Sequence, residues 1–339
     1  MANQNIGTPR FYIDIFQFYK ATAIGTANNA PPNLFGLNTS EQYWLETDDY
    51  SDDNGDTPPV HKTFRSFDFP TGEIPNLNYI AVLGHNFGNF TTGGFHMRLD
   101  STSISNDYVE RPIDYEITNT SYSNNFNAEF SGFSITEITP PTTPADAYRI
   151  NFRLQGTDAS PIGICALSTG YFYDMPHSPE LSLTMSHEYD GIKKQETAGG
   201  STLSYANYYK PPDWGDLQAW QLSGWDRKYS GRRVLDLSWN HLSDSDLEPY
   251  HYHMDRGTGG GLGSHPNWND DGNFFTNVLH YTNGGQLPFI FCPDPSIPYT
   301  TSTWTIPEFA ICRFDMKTFK REQVANGIYN IKVKIKESW

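Results

Sequence analysis

The stretch Tyr329–Lys336 alternates residue by residue. Tyr329, Ile331, Val333 and Ile335 occupy the odd positions, and Asn330, Lys332, Lys334 and Lys336 the even ones. A period of two puts one set on a buried face and the other in water, so this stretch is a half-buried β-strand. The chain ends soon after it, at Trp339. A terminal strand of this kind is expected to close a domain or to take part in an interface, because untied ends fray.

The rest of the chain carries the same signature. Phe11–Ile15, Tyr79–Leu83, Phe95–Leu99, Tyr148–Leu154, the stretch from Pro161 to Tyr173, and Leu235–Trp239 all read as strands, as do 287–292, 309–316 and 328–336. Aromatic residues make up 15 % of the chain and supply apolar surface that Leu and Ile usually supply, a composition that favours strands over helices. Glycine and proline are plentiful enough to turn the chain between many short strands. Phe274–Tyr281 is the best helix candidate, with Asn269 or Asp270 as its cap and Asn283-Gly284-Gly285 as its stop. A further turn of helix is expected within Leu242–Tyr250.

The expected fold is therefore mostly β: an N-terminal jelly-roll or β-sandwich plus a C-terminal β-sandwich domain with one helix. At 339 residues two domains are the prior. The stretch 190–212, with Asp190-Gly191, Gly199-Gly200 and Pro211-Pro212, reads as a junction. The division is placed at 1–195 and 196–339.

Charge narrows the partners. The formal net charge of −16 argues against a nucleic-acid backbone as partner. The charge is uneven: Asp48, Asp49, Asp52, Asp53 and Asp56 cluster near one end. Arg313, Lys317, Lys320, Arg321, Lys332, Lys334 and Lys336 cluster near the other. Two readings are open, a pair of solvated faces or a pair of surfaces that meet between copies. No run approaches the roughly 18 apolar residues of a membrane span. The start, Met1–Gly7, lacks the basic and apolar segments of a signal peptide, so synthesis in a cytoplasm is expected.

Few motifs carry chemistry. Cys165, Cys292 and Cys312 are too few and too widely spaced for a disulfide framework; each reads as a small buried hydrophobe, although Cys292 and Cys312 fit neighbouring strands. His251 and His253, with Asp255, His265 and His280, match no zinc signature, and the acidic segments Asp48–Asp56 and Asn267–Asn273 fail the register of a helix–loop–helix calcium site. Glu180, Glu188, Glu196 and Glu248 are not paired by anything in the sequence, as sugar hydrolysis would require. No nucleophile elbow, phosphate loop or dinucleotide fingerprint is present, and Cys165 has no evident His partner. The expectation is no catalytic residue, no metal, no cofactor and no enzyme. The most site-like spot follows the buried strand Tyr79–Leu83: His85, Asn86 and Phe87, which suit hydrogen bonding and ring stacking against a sugar. Loop residues that satisfy their own backbone are the plainer alternative.

Two sets of segments resemble known proteins. Leu77–Phe87 followed by Phe95–Leu99 resembles the galactose-binding or discoidin-like jelly-roll modules of tailed-phage virion proteins. Ile6–Asp14, Tyr173–Pro179, Phe309–Asp315 and Val324–Ile331 are similar to structural proteins of marine tailed phages. The resemblance implies a structural protein of the virion tail, made in the host cytoplasm and placed at the distal tail or baseplate, where it links the tail tube to fibres or host surface. It implies self-association into a ring, of three or six copies, contacts with other tail or baseplate proteins, and a projecting module that meets host surface glycan. Lys332, Lys334 and Lys336 are then candidate assembly residues. The alternatives are a glycan- or receptor-binding or capsid-decorating protein and, further off, a polysaccharide depolymerase. Distal tail proteins commonly place the ring domain first. Here it comes last, unless the N-terminal strand at 9–16 returns to it.

Overall fold

In the computed structural model, residues 6–18, 35–37, 78–83, 165–188, 194–204, 232–248, 272–297 and 309–338 are described in full, with Ile135 and Glu137. Strand backbone alone is described at 22–23, 43–45, 61–68, 95–101, 115–118, 133–137, 147–154, 162–164, 192–193, 205–206, 213–214 and 217–218.

The chain is mostly β. Its first strands are β1 (Arg10–Asp14), β2 (Thr22–Ala23), β3 (Tyr43–Leu45), β4 (His61–Asp68), β5 (Tyr79–Leu83), β6 (Phe95–Ser101) and β7 (Tyr115–Thr118). Next come β8 (Phe133–Glu137), β9 (Ala147–Leu154), β10 (Ile162–Ile164), β11 (Ala166–Asp174), β12 (Thr184–Glu188), β13 (Ile192–Glu196) and β14 (Thr202–Ala206). The last are β15 (Asp213–Trp214), β16 (Leu217–Gln218), β17 (Arg232–Ser243), β18 (Phe289–Cys292), β19 (Ala310–Phe314), β20 (Arg321–Ala325) and β21 (Ile328–Glu337). Two single-turn helices, α1 (Ile15–Phe18) and α2 (Asp244–Leu247), and one π-helical segment, Phe275–His280, complete the described elements.

Ten strands form one antiparallel sheet in the order β12-β17-β21-β19-β18-β1-β11-β5-β8, with β20 paired to β21, an arrangement consistent with a β-sandwich. A second sheet runs β2-β4-β9-β6-β7. Five strands of the large sheet precede residue 195 and five follow it, so the expected division at 195 does not separate its strands. The join is β1, which pairs with β11 on one side (Phe11 opposite Tyr173) and β18 on the other (Phe11 opposite Phe291). The N-terminal strand thus returns to the C-terminal strands.

The sequence explains this position. β1 is apolar on both faces, which suits only a strand covered on both sides. Phe11 and Ile13 point into one cluster with Trp239, Phe289, Phe314, Ile331, Val333 and Ile335. Tyr12 points into a second, with Tyr79, Ile290, Cys292 and Ile311. The Phe11 ring sits 5.3–6.1 Å from the rings of Phe274, Phe289, Phe291 and Phe314. Gly170 faces β1, where a Cβ would overlap the Ile13 carbonyl oxygen, so only glycine lets the two strands close here.

The π-helical segment covers the first cluster through Val278 and Leu279. Its cap differs from the expected one. Asn273 accepts the Thr276 N–H at 2.8 Å, while Asn269 and Asp270 lie outside the described residues. Its stop is as read: Asn283, Gly284 and Gly285 all have positive φ. At Gly285 (φ 93°) a Cβ would lie 2.7 Å from Phe314 Cβ, so glycine also admits the packing there. The three cysteines are free and buried. Cys292 and Cys312 do lie on adjacent strands, but they belong to the two different clusters and face opposite sides of the sheet.

Candidate assembly surface

β21 has its apolar residues in the core, and Lys332, Lys334 and Lys336 on the wet face opposite Ser238, Asp236 and Val234 of β17. It is not a sheet edge: β17 lies on one side, β19 and β20 on the other. Its backbone is therefore paired along most of its length and has no long ladder to offer a second copy. Two of its lysines are also paired within the chain. Lys334 Nζ lies 2.7 Å from Asp315 Oδ2, and that hydrogen bond raises its pKa. Lys336 reaches across β17 to Glu188 of β12. Lys332 makes no ion pair among the described residues.

These partners separate the three positions. Lys336→Glu sets a carboxylate against Glu188 and is expected to cost about 1 kcal/mol, the scale of a partly exposed pair. Lys332→Glu is expected to stay within about 0.5 kcal/mol of the parent. Urea denaturation of both variants checks this, and equal losses would show that the Glu188 pairing contributes nothing.

Among the described strands the large sheet ends at β8 and at β12. Among the described strands β12 pairs only with β17, in unbroken register from Thr184–Asp236 to Glu188–Arg232. Thr184, Met185, Ser186 and His187 are all exposed. Edge strands are usually blunted by proline, lysine or a bulge. Thr184–Glu188 has none of these. Beside it Leu181 is 99 % exposed and Met185 45 %.

Three residues further on, β13 and β14 form a two-stranded hairpin paired to no other described strand. Every fully described residue from Lys194 to Ser204 is exposed, including Leu203 at 59 %. The glycine and proline pairs of the stretch 190–212 suggest a junction, and the structure shows a hairpin within it. The signal for a hairpin was present: two polar five-residue runs around Gly199-Gly200, with Gly200 at φ 79°.

The ionisable groups inside the fold are tied down. Arg10 donates to Asp174 through Nε (2.5 Å) and Nη2 (2.8 Å), pairs with Glu137, and stacks 3.8 Å from the Phe172 ring. Tyr12 donates to Glu137 at 3.1 Å. This cluster clamps β1, β8 and β11 together, and both carboxylates are held by one cation. Arg233 Nε pairs with Glu337 at 2.5 Å, and Arg321 pairs with Glu248. Of the carboxylates considered for sugar hydrolysis, Glu188 and Glu248 therefore each face a cation of the same chain. Burial pushes the thiols of Cys165 and Cys292 up to about 12, and that of Cys312 well above its usual value, so the thiolate needed for nucleophilic chemistry is scarce at neutral pH.

His85, Asn86 and Phe87 lie outside the described residues, as do the acidic segment 48–56 and His251, His253, Asp255 and His265. His280 ends the π-helical segment with its ring 5.1 Å from that of Phe18, and burial lowers its pKa. Among the described residues no group of three or more His, Cys, Asp or Glu is placed to hold a metal ion, and no helix is long and apolar enough to cross a membrane. No family model matches the chain, and neither does any curated protein or solved structure.

Proposed function

We infer that this protein is a structural component of a tailed-phage virion that acts by assembling with copies of itself at the distal tail or baseplate. The observation that carries the assembly reading is the edge at β12, which no described strand covers and which is exposed beside a sheet whose centre is buried on both faces. An open edge of this kind is a template for another strand, and a soluble chain keeps one at the risk of aggregation unless a partner covers it. The phage setting is supported by the likeness of Ile6–Asp14, Tyr173–Pro179, Phe309–Asp315 and Val324–Ile331 to virion structural proteins. The chain works in this reading as a rigid sheet that positions an interface, and its neighbours are tail or baseplate proteins.

The test is the mass of the purified protein in solution over a wide concentration range. A closed multimer of three or six copies is the expected result, since contacts between unlike surfaces close into rings. A monomer at every concentration would sink the reading.

A further inference from the structure

We propose that copies of this chain join by laying the β13–β14 hairpin of one copy along the open edge of β12 in the next, with β14 as the added strand. The proposal rests on the assembly reading above and names its surface.

Both halves of the contact are on this chain. A two-stranded hairpin is marginal in water by itself, and needs a further strand or a packed face to be stable. This one has neither among the described residues. It cannot serve the edge of its own β12 in the structure observed, because β13 and β14 pair only with each other. β12 in turn has one ladder satisfied by β17 and, among the described strands, no partner on the other.

The faces match. Strand register puts Gln195 opposite Leu203 on one face of the hairpin, and Lys194 opposite Ser204 on the other. Register also puts Met185 beside Leu235, on the core side of the large sheet, and Glu188 beside Arg232, on the wet side. Extending the sheet through β14 sets exposed Leu203 next to exposed Met185, with Leu181 close by. It carries the Lys194 face on from the wet side that ends in Glu188. Leu203 meets Met185, and Lys194 extends the face that carries Glu188. Hairpin and edge are different surfaces, so the contact is head-to-tail, which is the geometry that builds a ring. A strand added at an edge takes its affinity from main-chain hydrogen bonds and its register from alternate side chains.

Two measurements on the full chain test this. The first is solution mass for the parent, Leu203→Asp and Leu181→Asp, with melting followed in parallel. Both side chains are mostly in water, so the fold is expected to persist. The expected result is a multimeric parent and at least a tenfold weaker assembly for Leu203→Asp, with unchanged melting of the dissociated chain. The second is oxidation of an equal mixture of Met185→Cys and Leu203→Cys chains. The native cysteines are buried, so they compete little. A disulfide joining the two different variants is expected. A multimer untouched by either aspartate and a mixture that yields no mixed disulfide would overturn the proposed surface and leave the assembly reading standing. Leu203-to-Leu203 crosslinks alone would overturn it in favour of a two-fold contact. A parent that is monomeric throughout removes both the surface and the reading.

Discussion

Residues 196–339 expressed alone are expected to give an unfolded product. The cut removes β1 from beside β18 and β12 from beside β17. It also strips Phe11, Ile13, Tyr171 and Tyr173 from the cluster that holds Trp239, Phe289 and Ile335. No alternative partner for the β18 ladder exists within the fragment among the described residues, and Phe289 and Phe291 would face water. Amide-proton dispersion of the purified fragment checks this. Native-like dispersion would mean that 196–339 is a domain after all. The same dependence is readable in the intact chain. Phe11 is fully buried and ringed by four phenylalanines, so Phe11→Ala is expected to cost about 3–5 kcal/mol, the usual range for a large aromatic lost from a core. The large sheet is expected to unfold in one transition, because β1 binds both groups of strands.

Asp14→Asn is expected to stabilise the protein above neutral pH. Asp14 ends β1 and starts α1, accepting the Phe16 N–H and the Gln17 Nε2–H, each at 3.0 Å. It is fully buried, and burial pushes its carboxyl up to about 7 despite those hydrogen bonds and one from the Thr169 backbone. The folded chain thus holds this proton more tightly than the unfolded chain, whose carboxyl titrates near its ordinary value. The contribution of Asp14 is most favourable below about pH 4, falls as pH rises to about 7, and is constant above that. Asparagine carries no charge to desolvate, still accepts the Phe16 N–H, and can meet a flipped Gln17 amide with its own. The gain at pH 8 is expected to be on the order of 2 kcal/mol, after allowance for one imperfect hydrogen bond. At pH 4 it should vanish or reverse. Denaturant unfolding of parent and variant at the two pH values gives the difference directly. A difference independent of pH would show that the Asp14 carboxyl does not titrate as its burial requires.

How much of this was legible beforehand depends on the range of the interaction. The strands at Tyr79–Leu83, Leu235–Trp239 and Tyr329–Lys336 were readable because alternation, or its replacement by an unbroken apolar run, is local. The helix stop at Asn283–Gly285 was readable because left-handed backbone has its own residue preference. The hairpin at Lys194–Ser204 was missed because its residues are mostly polar and lack a clear alternation, and such a stretch reads as linker until its pairing is seen. The candidate interface was sought on the lysines of β21, where the charge stands out. The surface proposed above lies on β12 and the hairpin, whose composition gives no signal and whose exposure does.

The sequence by itself determined that this is a mostly β chain, several of the segments that become strands, and that its cysteines are buried hydrophobes. All of these follow from the periodicity and chemistry of neighbouring residues. Only the tertiary structure decided which strands are neighbours. It placed β1 between β11 and β18, drew strands from both sides of residue 195 into the large sheet, and made Lys334 and Lys336 partners of Asp315 and Glu188. It left β12 and β8 at the two ends of the large sheet among the described strands. Strand order is set by which pairings bury the most apolar surface together, a property of the whole chain that no local pattern records.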